Sequence, residues 1–188
     1  MPNLFAVTGF SGAGKTTAID FIAKSSKISR VYVGQLINDE VVRRGLSPGA
    51  DSERAVRLDF RHRHGMAGLA ALAVPSIRSD LERGRTVFVD AVYSVEELNY
   101  YREHCDSHAQ LISIDASFDI RADRVAVRTD KILTREELLK RDELERINLR
   151  TDLAIAAATI AIKNESSLSI FHKGLQTQVC NLIASYRM

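Results

Sequence analysis

Five short apolar runs alternate along the chain with longer stretches in which apolar residues recur every three or four positions. Leu4 to Thr8 closes at Gly9 and reads as a strand buried on both faces, because such strands are apolar at successive positions. Thr16 to Lys24 carries helical spacing, with Ala18, Ile19, Ile22 and Ala23 apolar. Arg30 to Val33 predicts a second strand closed by Gly34. A short helix from Leu36 to Arg44 follows, stopped by Gly45 before the turn Ser47-Pro48-Gly49. Two helical stretches precede Gly84, and Thr86 to Asp90 is the third strand. Ser94-Val95-Glu96-Glu97 is a capping box that opens a helix to Cys105. Gln110 to Ile114 is the fourth strand, followed by a helix from Phe118 to Val127. A second box, Thr134-Arg135-Glu136-Glu137, opens a charged helix to Leu149. Thr159 to Ile162 is the fifth strand, the Ala-rich stretch from Leu153 into it reads as core, and an amphipathic helix runs from Leu168 to the end. Strands alternating with helices form βαβ units. The expected class is therefore α/β, a five-stranded parallel sheet with helices on both faces, in one domain over residues 1–188.

Composition narrows the setting. Hydrophobic residues make up 45% of the 188 and charged residues 27%, which excludes a disordered chain. Two cysteines, Cys105 and Cys180, exclude a disulfide scaffold. No apolar run reaches the roughly 18 residues of a membrane span. Met1-Pro2-Asn3 has no basic region before the first apolar run, so no secretory signal and a cytoplasmic location are expected. The net charge of +2 does not by itself indicate a nucleic-acid partner. Of the 26 basic residues 19 are arginine, the side chain best shaped for phosphate.

The chemistry begins at Gly9-Phe10-Ser11-Gly12-Ala13-Gly14-Lys15-Thr16, which fits G-x-x-x-x-G-K-[ST] between a strand and a helix. The glycines (Gly9, Gly12 and Gly14) let the backbone of Ser11, Ala13 and their neighbours curl with its N–H groups inward, forming a nest for a β-phosphate. The next helix directs its positive end at the same anion, with Thr17 in its first turn. Lys15 can reach the β- and γ-phosphates, and Thr16 can place a hydroxyl on Mg²⁺. Val87-Phe88-Val89-Asp90 ends a strand in a carboxylate, the pattern that sets an acid beside the same metal.

With these pieces the chain resembles the nucleoside-monophosphate-kinase branch of the P-loop kinases. It is most similar to small archaeal proteins described as adenylate kinase-like or dephospho-coenzyme-A kinase-like. The likeness rests on Gly9 to Thr16, Val33 to Ile37 with Arg43-Arg44-Gly45, and Val89-Asp90 with Ser94 to Leu98. It continues through Arg121, Arg124 and Arg128, then Lys140-Arg141-Asp142 and Lys163-Asn164-Glu165-Ser166. The resemblance implies the P-loop NTPase fold, with a small helical lid over about residues 124–146 and an acceptor-binding helical region over about 35–84. It also implies ATP and Mg²⁺ as cofactors, a small nucleotide as partner, and adenine held near Asn164.

Arg121, Arg124 and Arg128 share one helical stripe ahead of the Arg128-Thr129-Asp130-Lys131-Ile132-Leu133 segment, where the resembled family keeps its lid. Phosphoryl transfer relies on positioned positive charge, so Arg124 and Arg128 are expected to join Lys15 and Asp90 as the catalytic set. Arg135 and Arg141 are further lid candidates. A second stripe, Arg54, Arg57 and Arg61, falls where the family binds its acceptor. Together with Gln35 and Arg44, Arg57 and Arg61 are the expected acceptor-binding residues. A hydroxyl acceptor benefits from a carboxylate base. The second strand ends in Gly34-Gln35, whereas dephospho-coenzyme-A kinases carry an Asp there. This favours transfer from ATP to a nucleoside monophosphate or similar phosphorylated acceptor. A hydroxyl kinase and a nucleotide-binding regulatory ATPase without an acceptor remain as alternatives. His104-Cys105-x-x-His108 has no evident fourth ligand and is set aside as a zinc site. Glu136-Glu137 and Asp142-Glu143 read as solvated ion-pair partners.

Overall fold

β1 (Leu4–Thr8) is buried along its whole length, since its neighbours cover both of its edges and both of its faces. The computed structural model describes residues 3–26, 28–106, 108–129 and 132–185. Met1, Pro2, Asp130, Lys131 and the last three residues of the expected C-terminal helix lie outside them. α1 (Lys15–Ser25) follows β1, then β2 (Ile28–Tyr32), α2 (Val33–Arg43), α3 (Ala50–His64), α4 (Gly68–Glu82) and β3 (Thr86–Asp90). The second half runs α5 (Val95–His104), β4 (Gln110–Asp115), α6 (Phe118–Ala126), α7 (Arg135–Leu149), α8 (Thr151–Ala156) and β5 (Ile160–Lys163). It finishes with α9 (Leu168–Leu175), a π-helical turn over Gln176–Cys180, and α10 (Asn181–Ser185). The strands form one all-parallel sheet in the order β2-β3-β1-β4-β5.

Alternate residues of the central strands feed two cores. Leu4, Ala6, Val87, Val89 and Leu111 pack with α2 to α5, while Phe5, Val7, Phe88, Ile112 and Ile114 pack with α1 and α9. The register pairs Val7 with Asp90 and Asp90 with Tyr32. Three strand ends therefore lie abreast where the Gly9 loop begins, at the carboxyl edge that open parallel sheets use for ligands.

The two capped helices behave differently in detail. At α7 both halves of the box are present, with Thr134 and Glu137 each bonding the other's backbone. At α5 the Ser94 hydroxyl accepts from Glu97 N–H, and the Glu97 carboxylate reaches back one residue further, accepting from Tyr93 N–H as well as from the N-cap's own. α2 begins at Val33, three residues before the predicted Leu36, so Gly34 and Gln35 lie in its first turn. Gly34 leaves room there for the Tyr32 ring, whose far end would lie 2.7 Å from a Cβ. α8 was not anticipated: Arg150 takes a left-handed φ of 55° and restarts the helix, leaving Leu153 exposed and Ala154 buried in a stretch read as core. Among the described residues no helix is long and apolar enough to cross a membrane.

α6 and α7 share a small core of their own, Ala122, Val125 and Leu138. What fastens this pair to the sheet is Arg121. Its guanidinium is buried, makes two bonds to Asp142 (3.0 and 2.6 Å), and donates to the carbonyls of Ser11 and Ala116. Arg121 and Asp142 are thus an internal brace, and Asp142 is not the solvated partner expected. Removing one member of a buried pair strands the other charge. Asp142→Ala is expected to lower the unfolding free energy by about 3–5 kcal/mol in urea titrations; a change below about 1 kcal/mol would contradict this role.

Candidate active site

The loop from Gly9 to Gly14 folds as a cradle, and the sequence makes that shape hard to replace. Gly14 has φ +103°, and a Cβ there would lie 2.4 Å from the Asn164 amide nitrogen; Gly9 has φ +140° with a Cβ 2.2 Å from the Ile114 carbonyl. Lys15 lies back across the loop, its Nζ donating to the carbonyls of Gly9 (2.6 Å) and Phe10 (3.2 Å). Desolvation lowers its pKa to about 8, against the opposing pull of Glu145 and then Asp90, while Arg141 and Arg128 add to the lowering.

A cavity of about 410 Å³ opens on this cradle. Ser11, Gly12, Gly14, Lys15, Thr16 and Thr17 form one wall, and Arg124, Arg128 and Arg141 face them from α6, the segment after it and α7. Arg124 is held by the Asn164 carbonyl (3.0 Å) and the Asn164 side-chain oxygen (3.2 Å), while its Nη1 is buried without a hydrogen-bond partner among the described residues. A buried guanidinium nitrogen left open beside a nest of backbone amides fits a polyphosphate. Thr16 and Asp90 line the same cavity and are the residues that would hold Mg²⁺. Asp90 is buried and bonded by Arg30 of β2 at 2.5 Å, a partner that the sequence pattern did not reveal.

A second cavity of about 450 Å³ adjoins the first and shares Tyr32, Asp90, Tyr93 and Arg141 with it. Its far side has Arg57 and Arg61 from α3, and its apolar wall has Val33, Ile37, Leu69 and Leu149. Glu145 completes it, one helical turn beyond Arg141 on α7. The Nε of Arg61 and one carboxylate oxygen of Glu145 are buried without partners among the described residues. Under the shared wall, burial raises Glu97 to about 7 in spite of the Tyr93 N–H bond, and burial also raises the Tyr93 phenol.

The expected residues divide clearly. Ser11, Gly12, Gly14, Lys15, Thr16, Thr17, Asp90, Arg124, Arg128, Arg57 and Arg61 line the two cavities. Gly9 and Ala13 sit behind them as the carbonyl partners of Lys15 and Asn164. Asn164 is buried, bonded to Ala13 and Arg124 through both ends of its amide, so it braces the loop from behind. The structure does not bring Gln35 and Arg44 to the cleft. Gln35 is exposed and bonds Asp39, because the early start of α2 turns it outward; Arg44 is tied to Glu40 and Asp59, joining α2 to α3. Arg135 pairs with Asp119 over the Phe118 ring, away from both cavities. His104 packs against the Tyr100 ring at a tilt, and among the described residues no group of three or more His, Cys, Asp or Glu could hold a metal.

Comparison with known proteins places this geometry. Residues 6–148 match the family model of the AAA domain. A UPF0200 protein of the archaeon Methanosarcina barkeri is 34% identical over 96% of this chain and 96% of its own. The chain belongs to the UPF0200 family. Solved structures share the fold at low identity. A gluconokinase from Sinorhizobium meliloti superposes with a TM-score of 0.59 at 17% identity, covering 99% of this chain and 96% of that one. A dephospho-CoA kinase from Campylobacter jejuni gives 0.56 at 18%, covering 100% of both. This UPF0200 chain therefore has the P-loop kinase-like α/β fold that the resemblance implied.

Two consequences of the buried charges in this UPF0200 site are measurable. Lys15 titrates near 8, so at about pH 8.5 much of it is neutral, and a polyphosphate beside it favours the ammonium. ATP binding at that pH is expected to take up protons, seen as different calorimetric enthalpies in buffers of different ionisation heat; equal enthalpies would refute it. Glu97 has a folded pKa above its ordinary 4.5, so the folded state holds its proton to higher pH than the unfolded chain. Its contribution is present below about pH 4.5 and lost as pH rises through about 7. Glu97→Gln is expected to match the wild type in stability near pH 4 and to exceed it by up to about 3 kcal/mol at pH 8. Urea unfolding at the two pH values checks this.

Proposed function

We propose that the chain is a Mg²⁺-ATP-dependent phosphotransferase that moves the γ-phosphoryl group to a small phosphorylated acceptor, a nucleoside monophosphate or a similar compound. The observation that carries this reading is the pair of cavities with a common wall, each holding an arginine nitrogen without a partner. Arg124 supplies it on the cradle side and Arg61 on the other. A protein that only bound or hydrolysed ATP would have no use for the second cavity, whereas a transferase needs donor and acceptor in line.

In this reading Gly9 to Gly14 and Lys15 hold the β- and γ-phosphates. Thr16 and Asp90 hold the metal, which when bound supplies charge neutralisation at the transferred group. Arg124, Arg128 and Arg141 neutralise the equatorial oxygens as the group passes. Arg57 and Arg61 grip the acceptor's own phosphate, and Val33, Ile37 and Leu69 cover its apolar face. Tyr32 and Tyr93 wall the point where donor and acceptor meet, limiting access of water to the transferred group.

The kinase structures that share the fold are consistent with this chemistry, and the AAA-domain match supports the nucleotide side of it. The test is γ-labelled ATP with Mg²⁺ against nucleoside monophosphates and sugar phosphates. Label is expected in an acceptor product, Lys15→Ala is expected to abolish turnover, and Arg61→Ala to raise the acceptor KM about ten- to a hundredfold with a smaller effect on kcat. ATP hydrolysis with no labelled product from any acceptor would reject the reading.

A further inference from the structure

Glu145 is the one carboxylate in the acceptor cavity with a buried oxygen that has no partner among the described residues. Its side chain is nine-tenths buried. One oxygen accepts from Arg141 Nε at 3.0 Å; the other is buried and bonded to nothing among the described residues. Such an atom has lost its water without replacement, and native proteins rarely leave one so unless a ligand supplies the missing donor.

Its place sharpens the point. Glu145 stands one helical turn from Arg141, which lines both cavities, and of the charges acting on the Lys15 ammonium it is the strongest, ahead of Asp90. It is also the strongest charge on the Tyr93 phenol of the shared wall. The carboxylate is therefore near the meeting point of donor and acceptor. The other acid there, Asp90, is already engaged by Arg30. A phosphate dianion arriving as nucleophile would meet Glu145 as a like charge, whereas an O–H would meet it as the donor it lacks.

Resting on the phosphotransferase reading above, we infer that the group receiving the phosphoryl is a hydroxyl, and that Glu145 is its base. The acceptor is then a small phosphorylated alcohol whose phosphate sits on Arg57 and Arg61 while its hydroxyl points to Glu145. The hydroxyl oxygen attacks the γ-phosphorus and forms the new P–O bond. Its proton passes to the free Glu145 oxygen. The bond from the γ-phosphorus to the β,γ-bridging oxygen breaks with its electron pair on ADP, and the product is a phosphate monoester.

Nucleoside 5′-monophosphates test this directly, because each offers both a phosphate and ribose hydroxyls; sugar phosphates widen the set of alcohols. Products formed from labelled ATP by the wild-type chain are read by ³¹P NMR. Monoester resonances of bisphosphorylated products are the expected result. A phosphoanhydride product, a nucleoside diphosphate, overturns the inference while leaving the phosphotransferase reading intact. No product from any phosphorylated acceptor overturns both. Glu145→Gln keeps the side chain's volume and an oxygen for Arg141. It is expected to lower kcat about 10²- to 10⁴-fold with acceptor KM within about threefold and ATP affinity, by calorimetry, not reduced. A rise in KM with kcat preserved would make Glu145 a binding group and overturn its role as base. Loss of ATP affinity would show it to be structural, with the same consequence.

Discussion

The buried guanidinium of Arg121 is the contact on which the working geometry depends. It joins α6 to α7 through Asp142 and joins both to the phosphate loop through the Ser11 carbonyl. The arginines that face the cradle from across the cavity, Arg124 and Arg141, hang on the two helices that this one side chain clamps. Were it absent, the three-residue apolar cluster between α6 and α7 would be left to set their position, which is little area for two helices rich in charge. A buried ion pair adds little net stability compared with apolar packing, but it fixes a relative orientation. Here that orientation sets where the cations stand over the loop.

Charge in the cleft follows from strand register and one helix face. The parallel register brings Val7, Asp90 and Tyr32 abreast, which sets the carboxylate beside the loop and the aromatic ring at the seam of the two cavities. From across the cleft α7 adds Arg141 and Glu145, one turn apart and bonded to each other. The result is a site with cations on both sides and two acids in the middle, Asp90 and Glu145, each with one oxygen on an arginine; the second oxygen of Glu145 is buried with no partner among the described residues.

The phosphate loop, Asp90 and the strand–helix alternation were readable in the sequence because each depends on residues adjacent along the chain. The glycines, Lys15 and Thr16 make a local shape, and β3 ends in its acid whatever surrounds it. Arg30 was not readable, since its tie to Asp90 exists only once β2 pairs with β3. Glu145 was hidden in a run of charged residues on α7, whose inward face is decided by Asp142 reaching Arg121. Gln35 was expected in the cleft on the premise that the strand extends to Val33. The chain instead turns helical there, with Gly34 making room for the Tyr32 ring. Arg44 fits an anion site by type, but two nearer carboxylates, Glu40 and Asp59, claim it first. For Arg44 the local pattern named the right kind of residue, and a carboxylate of the neighbouring helix shared in deciding where it went.

The resting loop already satisfies its own lysine. With Nζ lodged on the carbonyls of Gly9 and Phe10, Lys15 does not wait as an open positive charge; an incoming anion must draw it off oxygens it already holds. Capture at this loop is an exchange of partners. A nucleoside lacking phosphates offers nothing to trade, and a chloride or carboxylate offers too little to displace two backbone oxygens. In the proposed phosphotransferase, selectivity for polyphosphate begins with this exchange, as a threshold that weak anions fail to cross.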